Sequence, residues 1–185
     1  MFRFLVGVVI GVILVPAAVI AWFHYGNLPV AVADTPFPDE RQITHGALDA
    51  RIDKELIKTP PIQADEAAFV AGAQIYTEQC AACHGLNGKP SSFGSHMYPD
   101  APPLWEKHHN GQVVGVSDDP PGETYWKATN GIRLTGMPAY KDVLTDTQRW
   151  QVSLLLANAD KPLPPMALAI LKGQTPAAVP LAEVK

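Results

Sequence analysis

The chain opens on a stretch with almost no polar position. Residues 4–23 are nearly all apolar, interrupted by Gly7, Gly11 and Pro16. A helix of about this length spans roughly 30 Å, the thickness of one hydrocarbon core. Polar and apolar positions alternate with helical spacing afterwards. Ile43, Ala47, Ile52 and Ile57 predict a short amphipathic helix over 42–57, after a Pro-rich extended run over 28–38. Asp65 suits an N-cap, and the Ala-rich run behind it predicts a helix over 68–76. A short helix over 123–129 should stop at Asn130-Gly131. Thr145-Asp146-Thr147-Gln148 has the capping-box pattern and should open a helix running to about 158. Pro162, Pro164 and Pro165 end it, with one more short helix over 166–172 and a poorly ordered tail. The pattern is mainly α, in four parts: an anchor (1–26), a linker (27–64), a small domain (65–160) and a C-terminal extension (161–185).

Charge refines this division. Arg3 is the only charged side chain before Asp34, so positive-inside logic keeps the N-terminus cytoplasmic and the remainder outside. Trp22, Phe23, His24 and Tyr25 form an aromatic belt where the helix should leave the membrane. The rival is a cleaved signal peptide, with Ala31-Val32-Ala33 as the cleavage tripeptide. The apolar run exceeds the usual signal core, and that tripeptide lies well beyond it, so a retained anchor is expected. Gly7 and Gly11 form a G-x-x-x-G pattern that allows another membrane helix to approach closely. Between 34 and 66 there are eight acidic and four basic residues, expected to form a solvated linker.

The chemistry is concentrated in Cys80-Ala81-Ala82-Cys83-His84. This C-x-x-C-H run is the attachment signal for a c-type haem: two thiols for thioether links and a histidine for the iron. The chain has only these two cysteines, which excludes a zinc site of two Cys pairs. A thioredoxin-like pair also reads C-x-x-C, but that motif usually opens a helix after a strand, and here a helical pattern precedes it. Thr135-Gly136-Met137-Pro138 supplies a candidate second ligand: a thioether favours Fe(II), raises the potential and closes the iron to substrates.

These motifs resemble a membrane-anchored class I, mono-haem cytochrome c over about residues 66–160. Gly72-Ala73-Gln74-Ile75-Tyr76 resembles the family's N-terminal helix signature, whose glycine lets the last helix cross closely. Ala101-Pro102-Pro103-Leu104 resembles the segment whose proline carbonyl receives the ligand histidine's other N–H. The resemblance implies that Pro102 holds His84 and that Leu104 packs on the haem. Residues 131–140 resemble the methionine-ligand loop and imply Met137 as sixth ligand. The family often has an aromatic deep in the last helix. None follows Trp150 here, so Leu155 and Trp150 are expected to make the crossing.

Other side chains compete with these as ligands. His96 and Met97 lie in the loop that should wrap the haem, but the family's chain path sends Met137 to the iron. His108 and His109 are expected to be a solvated pair, His45 and His24 linker and interface residues, and Met166 packing. Trp126, Tyr125 and Arg133 are candidate contacts to the haem propionates.

The resemblance implies a class I cytochrome c fold behind one transmembrane helix, holding one covalent haem c. It implies electron transfer rather than enzymatic turnover, on the periplasmic side of a bacterial inner membrane, in a respiratory or photosynthetic chain. The expected partners are a redox protein or membrane complex, with no nucleic acid and no small-molecule substrate. The alternative is an integral subunit of a membrane oxidase or dehydrogenase. A haem enzyme or gas sensor with an open iron is disfavoured by Met137.

Overall fold

The computed structural model describes residues 1–108 and 110–174, so the expected tail disorder and His109 fall outside it. It divides into two compact units, Met1–Glu40 and Arg41–Lys185.

In the first unit, α1 (Phe2–Tyr25) is a continuous helix with no buried residue. It is long and apolar enough to cross a membrane. Gly26 ends it, its N–H donating to the Trp22 carbonyl. Asp34 then accepts hydrogen bonds from Val30 N and Ala31 N, both at 2.8 Å. These bonds hold the Asp34 carboxyl below its usual range.

The second unit is built on α3 (Glu66–Gln79) and α6 (Asp146–Leu156). Asp65 caps α3 by accepting from Ala68 N at 2.8 Å. Thr145 and Gln148 form the reciprocal capping box of α6. The two helices cross at Gly72. A Cβ there would stand 2.5 Å from the Gln151 carbonyl oxygen and 3.1 Å from Leu155 Cβ. Only glycine allows this approach. Leu155 is fully buried at the crossing, together with Ala73 and Tyr76. Trp150 faces elsewhere: it stacks on Tyr125 of α5 (Pro121–Asn130), with ring centroids 4.1 Å apart. α5 begins earlier than expected because Pro121 occupies its first turn, where a missing N–H costs nothing.

Two segments outside the expected small domain are folded onto it. The helix α2 (Glu40–Glu55) buries Ile52, and a Cβ on Gly122 of α5 would overlap the Ile57 carbonyl. This half of the acidic linker is therefore packed rather than fully solvated. The helix α7 (Pro165–Leu171) places Ala167 and Leu171 fully inside the core, beside Tyr76 and Leu155. Burying a leucine side chain contributes about 1.5–3 kcal/mol, so α7 is a structural part of the domain. A small hairpin, β1 (Lys107–His108) paired with β2 (Val113–Val114), lies between Leu104 and α5.

Candidate haem site

The C-x-x-C-H run forms a single helical turn, α4 (Ala81–His84), directly behind α3. The turn brings both thiols and the imidazole together. Cys80 and Cys83 are free and half-buried. Burial, and then the neighbouring Cys83, pushes the Cys80 thiol up to about 12. A disulfide-exchange cysteine needs the opposite shift, toward thiolate. This environment therefore counts against the redox-pair alternative.

His84 is fixed from behind. Its Nδ1 lies 2.8 Å from the Pro102 carbonyl oxygen, which can only accept, so the proton sits on Nδ1. Nε2 is then left with its lone pair for a metal. Burial is the larger influence on His84 and lowers its pKa, keeping the imidazole neutral, while the Pro102 bond opposes it. Leu104 is buried on the same wall, its N–H donating to the His84 carbonyl at 3.4 Å. The Tyr76 hydroxyl donates to the Gly85 carbonyl at 2.7 Å, tying the end of the turn to α3. Trp105 stands edge-on to Tyr76, with its indole N–H buried.

Met137 sits on the loop after α5. Its N–H donates to Thr135 Oγ1 at 3.1 Å, and its carbonyl accepts from Ile132 N at 3.3 Å. Gly131 closes this loop with a positive φ of 65°; a Cβ there would lie 2.8 Å from the Met137 carbonyl and from Ala139 N. The Tyr140 hydroxyl donates to the Gln79 carbonyl at 2.8 Å, one residue before Cys80. That bond draws the methionine loop to the attachment turn. Burial raises the Tyr140 pKa, and the nearby Cys80 and Cys83 add to the effect.

The proposed propionate contacts are placed less favourably. Trp126 Nε1 donates to Glu55 Oε2 at 2.8 Å, so its donor is engaged on α2. The Tyr125 hydroxyl donates to Asp146 and its ring stacks on Trp150. Arg133 is exposed. His96, a rival ligand, is exposed and donates from Nδ1 to its own loop at Ser92 O, 2.7 Å away. Met97, the other rival, lies against Gly136. Sequence reasoning missed the roles of Trp105 and Tyr140. Each follows a recognisable motif, Pro102-Pro103-Leu104 and Met137-Pro138-Ala139, and aromatic side chains beside ligand segments were the available signal.

The donor set suits a c-type haem: two thiols one turn apart, a neutral imidazole with Nε2 free, and a thioether on a loop tied to the same turn. Among the described residues, no cluster of three or more His, Cys, Asp or Glu suggests a separate metal site. Residues 67–154, slightly less than half of the chain, match the family model described as cytochrome C oxidase, cbb3-type, subunit III. No curated protein matches the chain significantly.

Proposed function

We propose, on the premise that residues 67–154 are a c-type cytochrome domain, that the chain is a single-haem electron carrier tethered to a membrane by α1. Electron transfer follows from the domain; the ligands, the attachment and the setting are our reading. Cys80 and Cys83 would hold the haem covalently, and His84 and Met137 would ligate its iron. The bound group would supply a one-electron iron couple, its potential raised by the thioether ligand. The residues need only fix and enclose it. Pro102 keeps the proton on His84 Nδ1 and so keeps Nε2 available. Leu104 and the core around α3 exclude water from the histidine wall. No side chain has to move a proton.

The observation that carries this reading is the meeting of the two ligand segments. The Tyr140–Gln79 bond joins the Met137 loop to the helix that runs into Cys80. Two ligands close an iron; an oxygen-reducing or gas-sensing site must leave one position open. Carbon monoxide titration of the reduced, detergent-solubilised protein is therefore decisive. The carrier reading expects an unchanged spectrum at carbon monoxide concentrations that saturate an open iron, with binding only far above them, and ready binding would overturn it.

α1 would place the haem domain on the periplasmic face of a bacterial inner membrane, since Arg3 is the only charged side chain on its N-terminal side. Membership in a respiratory chain is favoured by the matched family's description as an oxidase subunit. That description also supports a second reading, in which the chain is an integral subunit of an oxidase bound through α1. Purification in mild detergent separates the two. A free carrier elutes alone, whereas a subunit elutes with the oxidase.

A further inference from the structure

The loop between the attachment turn and Pro102 does more than wrap a rim. One end is fastened to the turn itself. The Ser91 hydroxyl donates to the Ala82 carbonyl and accepts from Phe93 N and Gly94 N, both at 3.1 Å. Gly94 is buried so tightly that a Cβ on it would overlap the Cys83 carbonyl. The Gly94 carbonyl then accepts from Met97 N at 3.3 Å and from Ala101 N at 3.2 Å. The half-buried Met97 is thus held at its backbone, two short steps from the thiols.

Its side chain reaches the opposite ligand segment. A Cβ built on Gly136 would overlap the Met97 Cε methyl, with Sδ 3.6 Å away. Gly136 does not have a positive φ, so the backbone does not require glycine there. The space is taken by the Met97 thioether. Gly136 directly precedes Met137, whose backbone hydrogen bonds to Thr135 and Ile132 stay within its own loop. Met97 therefore supplies the loop with a contact from the other side of the site.

We propose that Met97 is a positioning residue for Met137: anchored on the Cys80–His84 turn, its thioether seats Gly136 and governs how firmly Met137 holds the iron. The inference rests on Met137 as the sixth ligand. Flexible thioethers fill irregular gaps well, and a contact of this kind acts by limiting the loop's freedom to swing away. Met97→Ala should keep Met137 on the iron but let it leave more often. Met97→Leu, which fills the same space, should behave like the unaltered protein.

The test uses the full-length, haem-loaded protein in detergent. The far-red sulfur–iron band of the oxidised form reports ligation, and carbon monoxide affinity of the reduced form reports how easily the ligand leaves. Met97→Ala should retain the band and bind carbon monoxide about five- to tenfold more tightly, a change of about 1–1.4 kcal/mol. Gly136→Ala should push the Met97 methyl aside and give a similar gain. The double variant should be no worse than either single one, because the new methyl enters vacated space. Equal carbon monoxide affinity in Met97→Ala and the unaltered protein would overturn the proposal, as would strictly additive effects in the double variant. Loss of the band in Met97→Ala with retention in Met137→Ala would instead overturn Met137 as the ligand. Should Gly136→Ala not fold, the Met97→Ala and Met97→Leu pair still decides the matter.

Discussion

The two segments proposed to carry the iron ligands are held in different ways. The histidine wall is continuous with the core. It follows α3 without a break, Tyr76 ties its end, Pro102 fixes the imidazole and Leu104 is buried against it. The methionine wall is a loop. Its tip residue Leu134 is 92% exposed with a φ of 63°, so the loop presents an apolar side chain to solvent in a conformation that L residues rarely adopt. Its ties include the turn closed by Gly131, the Tyr140–Gln79 bond, the Tyr140 N–H to the Ala128 carbonyl and the Met97 contact. The difference teaches where each ligand is vulnerable. Histidine ligation should fail only with the fold, whereas methionine ligation should respond to single loop contacts.

The largest effect lies at the attachment turn. Acid–acetone extraction should leave the haem colour with the protein, and Cys80→Ser or Cys83→Ser should weaken or abolish that retention. Free haem released from the unaltered protein would break the whole scheme. Next comes the crossing that supports the histidine wall. Gly72→Ala places a methyl against the Gln151 carbonyl, which cannot rotate away. It should cost about 1–3 kcal/mol, read as a lower denaturation midpoint, while the far-red band of the folded protein persists.

Tyr140→Phe should sharpen the contrast from the other side. It removes one hydrogen bond, worth about 0.5–1.5 kcal/mol, and leaves the Gln79 carbonyl without that partner. Global stability should fall slightly, and carbon monoxide affinity should rise more than Gly72→Ala makes it rise. The smallest effect belongs to α2. The Trp126 bond holds the Glu55 carboxyl below its usual range; burial opposes it, and Arg51 adds a lesser lowering. A carboxyl depressed in the folded state contributes stability above its unfolded pKa and loses it as the pH falls through the folded value. Hydrogen-exchange protection of α2, taken relative to the intrinsic rate at each pH, should therefore fall below about pH 4, and Trp126→Phe should weaken that pH dependence.

Local signals in the chain were easy to read. Asp65 caps α3, Thr145 and Gln148 box α6, and Asn130-Gly131 stops α5, because each device acts within a few residues. The candidate site residues Cys80, Cys83, His84, Pro102 and Met137 come from short motifs for the same reason, and the fold places His84 Nδ1 against the Pro102 carbonyl. What escaped depends on distant contacts. Nothing near Trp126 announces Glu55, and nothing near Leu171 announces that α7 completes the core. The hairpin of β1 and β2 has two residues per strand, too few for an alternating pattern to emerge. Trp150 was expected at the α3–α6 crossing, but its large ring finds a flat partner in Tyr125, leaving the crossing to Leu155 and Gly72.

The central claim is a closed iron between His84 and Met137, and the optical spectrum of the oxidised protein tests it most directly. The account predicts a weak far-red band that disappears in Met137→Ala, together with a lower potential and access for carbon monoxide. A band that survives in Met137→Ala, or that never forms in the unaltered protein, would contradict it.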